Sequence, residues 1–313
     1  MVPEKLDAYR PSDANDRTAD LLRALSDWAP SEVGQRNVAT DILLCRSDEC
    51  LRKLAERYKS GLILPIRAAG GRTPRVSNHP SRPSVDLDDI VNPLLLERAT
   101  GDRRIMRDLV LHRENYRCIL TGKCDLNSTI GENIKTVIQD DEDVTVLECA
   151  HILPFSFLPS SENPGVLERY GMIWQVITAF SGIPLDELNG DNINRVESGI
   201  TLESAMHQLF GSLSLCFEAT DEVNTYRMRY WGIPRRIQSI IPDTVTFVPR
   251  AEIPVPDPPF LALHAACAKV VHQSGMAEIL DKFCRDLERT AVLSTDGSSA
   301  HLLSHALEMI AVS

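Results

Sequence analysis

The stretch Glu148-Cys149-Ala150-His151-Ile152-Leu153-Pro154 constrains this chain most. It sets His151 at the end of an apolar strand, just before a proline that cannot donate to a ladder. An imidazole in that place can reach a pocket. Downstream, Gly199-Ile200-Thr201-Leu202 leads into a short helix carrying His207. A strand that delivers one histidine and a helix that delivers another make a site with acid–base and metal-binding capacity.

Length and charge set outer limits. With 313 residues the chain can bury a substantial core, as one large domain or two. It carries 33 Lys and Arg against 44 Asp and Glu, a formal net charge of -11. Proteins that hold duplex phosphates usually show a basic face, so this balance weighs against nucleic acid unless a local basic stripe sits on the acidic body. The eight cysteines form no CxxC pair and several lie in apolar runs, which reads as reduced, buried thiols. No secretory signal pattern opens the chain and no run of about 18 apolar residues is present, so a cytoplasmic or nuclear protein, neither secreted nor membrane-bound, is expected.

The pattern along the chain predicts an N-terminal helical region over residues 1–66, with Leu21, Leu22, Leu25 and Trp28 at helical spacing. Residues 67–99 lose periodicity among Gly70, Gly71, Pro74, Pro80 and Pro83 and read as a flexible linker. A second domain is expected over 100–290. It should hold a helix from Arg103 to Asn115, a strand over 116–122, an acidic loop over 140–143 and the strand that delivers His151. An inserted apolar helix over 166–181 and late strands at 213–218 and 225–231 should follow. A proline-rich segment, 249–259, then leads into a strong helix over 260–289, and residues 291–313 form a tail.

Five segments recur in this order in fungal HNH-endonuclease-like proteins, which this chain resembles. They are Arg117-Cys118-Ile119-Leu120-Thr121-Gly122, Glu148 to Pro154, Asn192-Ile193-Asn194, Gly199 to Leu202 and His207-Gln208-Leu209-Phe210. The resemblance covers about residues 100–290. It implies an α+β fold: an HNH-like ββα-metal core with an inserted helix, flanked by N-terminal and C-terminal helices. It also implies that His151 is the general base and His207 a metal ligand. Ser198 stands where the family places an asparagine that braces the loop, Ala150 precedes the base, and Gly211 follows Phe210. Glu148 shares a strand face with position 150 and is the candidate second metal ligand. Asn192 or Asn194 are candidates for the brace.

Three functions fit these residues. The departures from the family pattern, together with the acidic charge, favour an HNH-like fold repurposed for a small apolar substrate, and the resemblance to this fungal group implies a cyclase of Diels–Alderase type in secondary metabolism. Such an enzyme would need no cofactor, only a shaped apolar pocket and one hydrogen-bond donor. Trp174, Ile177 and Phe155 would line that pocket. The alternative is a DNA endonuclease using Mg²⁺ or another divalent ion at His207 and Glu148, with Arg103, Arg104, Arg107 and Arg117 on phosphates. The third is a non-catalytic interaction protein.

Overall fold

The computed structural model describes residues 1–68, 102–129, 141–153, 164–188 and 195–289. Helices α1 (Val2–Asp7), α2 (Thr18–Trp28), α3 (Glu32–Leu44) and α4 (Asp48–Tyr58) open the chain. A π-helical turn, Lys59–Ile63, joins α4 to α5 (Leu64–Ala68). Next come α6 (Arg103–Arg113), β1 (Cys124–Asp125), β2 (Val144–Thr145), β3 (Leu147–His151), α7 (Pro164–Ser181) and α8 (Leu185–Leu188). The order closes with β4 (Gly199–Glu203), α9 (Ser204–Gly211), β5 (Leu215–Ala219), β6 (Thr225–Tyr230), α10 (Arg235–Gln238), β7 (Thr244–Thr246), α11 (Pro258–Gln273) and α12 (Met276–Arg289). The architecture is mixed helix with small sheets, of α+β type. No helix among the described residues is long and apolar enough to cross a membrane.

The described residues divide into two compact units. The first draws on Met1–Ala69, Phe155–Glu187 and Ala265–Ser313, the second on Gly70–Pro154 and Leu188–His264. The boundary falls inside α11.

The regular elements described in the first unit are all helices. Ser31 and Ser47 cap α3 and α4 by accepting from Gly34 N and Cys50 N, which satisfies donors that have no partner within the helix. Leu21, Leu22, Leu25, Val38, Ile42, Leu51 and Leu54 form its core. Helix α7 packs on α3 at very short range: a Cβ on Gly34 would lie 1.9 Å from the carbonyl oxygen of Phe180. Asn37 Nδ2 seals that crossing by donating to the Ala179 carbonyl at 2.9 Å. Tyr58 meets Phe180 edge to face and donates its hydroxyl to Asp41. Where the pattern predicts one continuous C-terminal helix, the structure breaks it between α11 and α12. Gly275 there takes a left-handed φ of +71°, which side chains disfavour.

The second unit is built on β3 and β4, which pair antiparallel from Leu147↔Glu203 to His151↔Gly199. The apolar stripe of α6, with Ile105, Met106, Leu109 and Val110, packs against Cys149, Val196 and Ile253. A three-stranded antiparallel sheet, β5-β6-β7, stands beside them over an aromatic cluster of Phe210, Phe217, Tyr226 and Phe247. The strand expected over 116–122 is instead a turn. Asn115 and Tyr116 have φ of 55° and 56°, so the chain reverses there and leaves only the bridge Arg117↔Cys124. The 67–99 linker falls almost wholly outside the described residues, and the 291–313 tail entirely so.

Candidate functional site

Helix α9 begins on the residue after β4, so its first turn hangs directly over the β3–β4 pair. The register sets Glu148 opposite Leu202, on the strand face that also carries position 150. Three side chains meet there. His207 Nδ1 lies 2.6 Å from Glu148 Oε2, and Ser204 Oγ donates to Glu148 Oε1 at 2.7 Å. The His207 side chain is 5% exposed and that of Glu148 33%, so the imidazole is sheltered while the carboxylate borders solvent. The contact fixes the imidazole with its Nδ1 edge toward the carboxylate and its Nε2 edge on the far side of the ring.

His151 is the last residue of β3 and is half-buried. Strand alternation sets it with Leu147 and Cys149 rather than with Glu148. The structure therefore gathers Glu148, Ser204 and His207, while His151 ends the strand that carries Glu148. Cys149, beneath it, is inert: burial pushes its thiol up to about 12.

Ser198 is fully buried, and its Oγ has no partner among the described residues. Its main chain does the bracing instead, because its carbonyl accepts from Ile152 N at 2.8 Å and extends the ladder past His151. Gly199 next to it sits against α6: a Cβ there would lie 2.6 Å from Met106 Cε and 2.9 Å from Cys149 Sγ. Asn192 and Asn194, the other candidates for a brace, lie outside the described residues, as does Phe155. Trp174 and Ile177 are described, and both are buried within the first unit.

A second device holds the strand and was not visible in the sequence. Arg113, the last residue of α6, is 3% exposed. Its guanidinium donates to the carbonyls of Val196 and Pro254 at 2.9 Å and of Gly199 at 2.6 Å. Glu114 balances that buried charge at 2.6 Å and accepts from Thr201 N through its other oxygen at 2.7 Å. One buried ion pair thus ties both ends of the segment from Val196 to Thr201. Position 113 reads in sequence as an ordinary solvated arginine near a helix end.

His264 supports α9 from beneath. It stacks on Phe210 with ring centroids 3.7 Å apart and bonds the Phe210 carbonyl through Nε2. Burial holds its pKa down at about 3, so it stays neutral.

The arginines expected to face phosphates are largely engaged. Arg104, Arg107 and Arg117 lean on Asp102, Asp108 and Glu142, and burial lowers the pKa of Arg103. By contrast Arg227, Arg235 and Arg236, on β6 and α10, are exposed and make no ion pair among the described residues.

The donor set bears on whether a divalent ion suits the site. His207 and Glu148 would supply one imidazole nitrogen and one carboxylate oxygen to a divalent ion. An ion that keeps most of its water fits a pair of protein donors. A closed zinc site does not, because no group of three His, Cys, Asp or Glu able to hold a metal occurs among the described residues.

Residues 118–218 match a family described as HNH endonuclease. No curated protein and no solved structure matches the chain. The stretch from the turn before β1 into β5 is therefore HNH-like, and Glu148, His151, Ser198, Ser204 and His207 all fall within it.

Proposed function

We propose that the protein hydrolyses phosphodiester bonds of nucleic acid at this HNH-like site. The observation that carries the reading is the Glu148–Ser204–His207 cluster, seated on the β3–β4–α9 unit inside the matched stretch. A divalent ion held by His207 and Glu148 would supply positive charge to the scissile phosphate and the leaving oxygen. His151 acts as general base, taking a proton from the attacking water. In-line displacement places the attacking and leaving oxygens on opposite sides of phosphorus, so His151 need not touch the His207 cluster. Ser204 fixes the Glu148 carboxylate, and the Arg113–Glu114 pair fixes the strand opposite His151.

The test combines calorimetric titration of Mg²⁺ and Mn²⁺ with nicking of plasmid DNA. Wild type should bind one ion and cleave. His207→Ala should lose the ion, and Glu148→Gln should bind it about 10–100-fold more weakly. His151→Ala should keep the ion and lose about 10²–10⁴ in rate. A wild-type protein that binds neither ion would overturn the reading.

A second reading rests on a specific observation: both Glu148 oxygens are already satisfied within the protein, and Ala150 adds no donor. A His–carboxylate pair complete in itself suits a metal-free acid–base site on a small apolar substrate, such as the cyclase expected from the resemblance. Cleavage-dead protein that binds no ion yet loses ligand binding in His207→Ala would favour it.

A further inference from the structure

We propose that Cys45 and Cys50 form an oxidisable dithiol that closes into a disulfide when the protein meets a hydroperoxide. Their sulfurs lie 2.7 Å apart, closer than two non-bonded sulfurs normally sit and about 0.7 Å beyond the length of a disulfide bond. Cys118, Cys124, Cys149, Cys216 and Cys267 are all buried.

The local fold builds this approach. Cys45 ends α3 in an extended conformation with φ -63° and ψ 126°, Arg46 and Ser47 turn the chain, and Cys50 lies in the first turn of α4. Ser47 holds that turn by accepting from Cys50 N. Lys5 anchors the other side, donating its ammonium to the carbonyls of Leu43 and Cys45. Two short polar clamps therefore keep both thiols in place without a covalent link, and closure requires little backbone movement.

The two sulfurs differ in access, and this sets the order of events. Cys45 is 4% exposed, whereas Cys50 is half-buried. Burial, reinforced by the neighbouring Cys50, pushes the Cys45 thiol up to about 12, so Cys45 is protonated at rest. The accessible Cys50 sulfur attacks an oxygen of the hydroperoxide. The O–O bond breaks, the leaving oxygen departs as water or an alcohol with the thiol proton, and Cys50 becomes a sulfenic acid. Cys45 sulfur then attacks Cys50 sulfur. The S–O bond breaks, and the hydroxyl leaves as water with the Cys45 proton. Two thiols are oxidised by two electrons and one peroxide is reduced.

The sequence makes the test direct, because Arg36, Arg46 and Arg52 place tryptic cuts on both sides of each cysteine. Full-length protein is treated with hydrogen peroxide, alkylated with iodoacetamide, digested with trypsin and analysed by mass spectrometry. The expected product is peptide Asn37–Arg46 joined to peptide Ser47–Arg52, lighter by two hydrogen atoms than their sum and separated by dithiothreitol. Cys50→Ala changes a half-exposed side chain and should fold normally. It should leave Cys45 alkylated after the same treatment, where wild type protects it. Recovery of both wild-type peptides alkylated, or of Cys50 as sulfinic acid beside an alkylated Cys45, would overturn the proposal.

Discussion

The two units differ in what they bury. In the first, the interior is apolar side chains with few exceptions, chiefly Thr18, Arg67, Ser181 and Ser274. In the second, Arg113, Asp125, Ser128, Ser198, Thr201, Glu203, His207, Thr225 and His264 are all buried. Burying so many polar groups is costly unless each finds a partner, and folds tolerate it where those groups have work to do. Asp125 accepts from Leu147 N and Ser128, Glu203 meets Lys123, and Arg113 meets Glu114. These contacts all surround the two strands that position Glu148 and His151. The first unit is held mainly by shape, the second also by paired buried polar groups such as Arg113–Glu114 and Asp125.

The largest test of that contrast is Arg113→Met. It leaves the Glu114 carboxylate and three carbonyls buried without their donor, and should destabilise the protein by about 3–5 kcal/mol in urea unfolding. Adding Glu114→Gln should recover part of the loss. If Arg113→Met were neutral, the polar tie would not be what holds the second unit.

Gly34→Ala probes the first unit in the complementary way. Its Cβ meets backbone at Phe180, which cannot swing aside as a flexible side chain would, so a loss of about 1–3 kcal/mol is expected from overpacking alone. Thermal unfolding would read it. Gly199→Ala should cost less, because the first atom it meets is the mobile end of Met106.

His264 gives the contrast a pH dependence. Its folded pKa is held near 3, below the unfolded value of about 6.5, so the unfolded chain binds the extra proton between those values. Stability tied to His264 is therefore fully present well above pH 6.5 and falls as pH drops toward 3, by about 1 kcal/mol at pH 5.5. His264→Phe keeps a ring against Phe210 and removes the titration. Its stability relative to wild type should rise by that amount between pH 7 and 5.5, measured by urea unfolding at each pH.

The smallest effect concerns the exposed arginines. On the proposed nucleic-acid function, replacing Arg227, Arg235 and Arg236 with Gln should leave folding unchanged and weaken nucleic-acid binding evenly across sequences. For each arginine that contacts a phosphate, the slope of log affinity against log salt should fall by about 0.9. The paired Arg104 and Arg107 should show less of this, which fluorescence anisotropy across a salt series would reveal.

Much of the fold was legible in local patterns. The apolar spacing of Leu21, Leu22 and Leu25 marked α2, and the stripe from Ile105 to Val110 marked α6. The late strands expected at 213–218 and 225–231 overlap β5 and β6, and the expected helix over 166–181 falls within α7. Local reading failed where backbone conformation broke a pattern. Tyr116-Arg117-Cys118-Ile119 has strand-forming residues, yet positive φ at Asn115 and Tyr116 turns it aside, and Gly275 interrupts what periodicity presents as one helix.

The sequence by itself determined the order of a strand ending in His151 and a later short helix carrying His207, and with it the placement of both histidines on an HNH-like stretch. Residue order fixes periodicity, and periodicity needs only neighbours. Only the tertiary structure decided that Glu148 meets His207 across 59 residues and that Arg113 reaches carbonyls 83 to 141 residues away. Those contacts depend on strand register and on the burial of one helix end, which chain-local spacing does not encode.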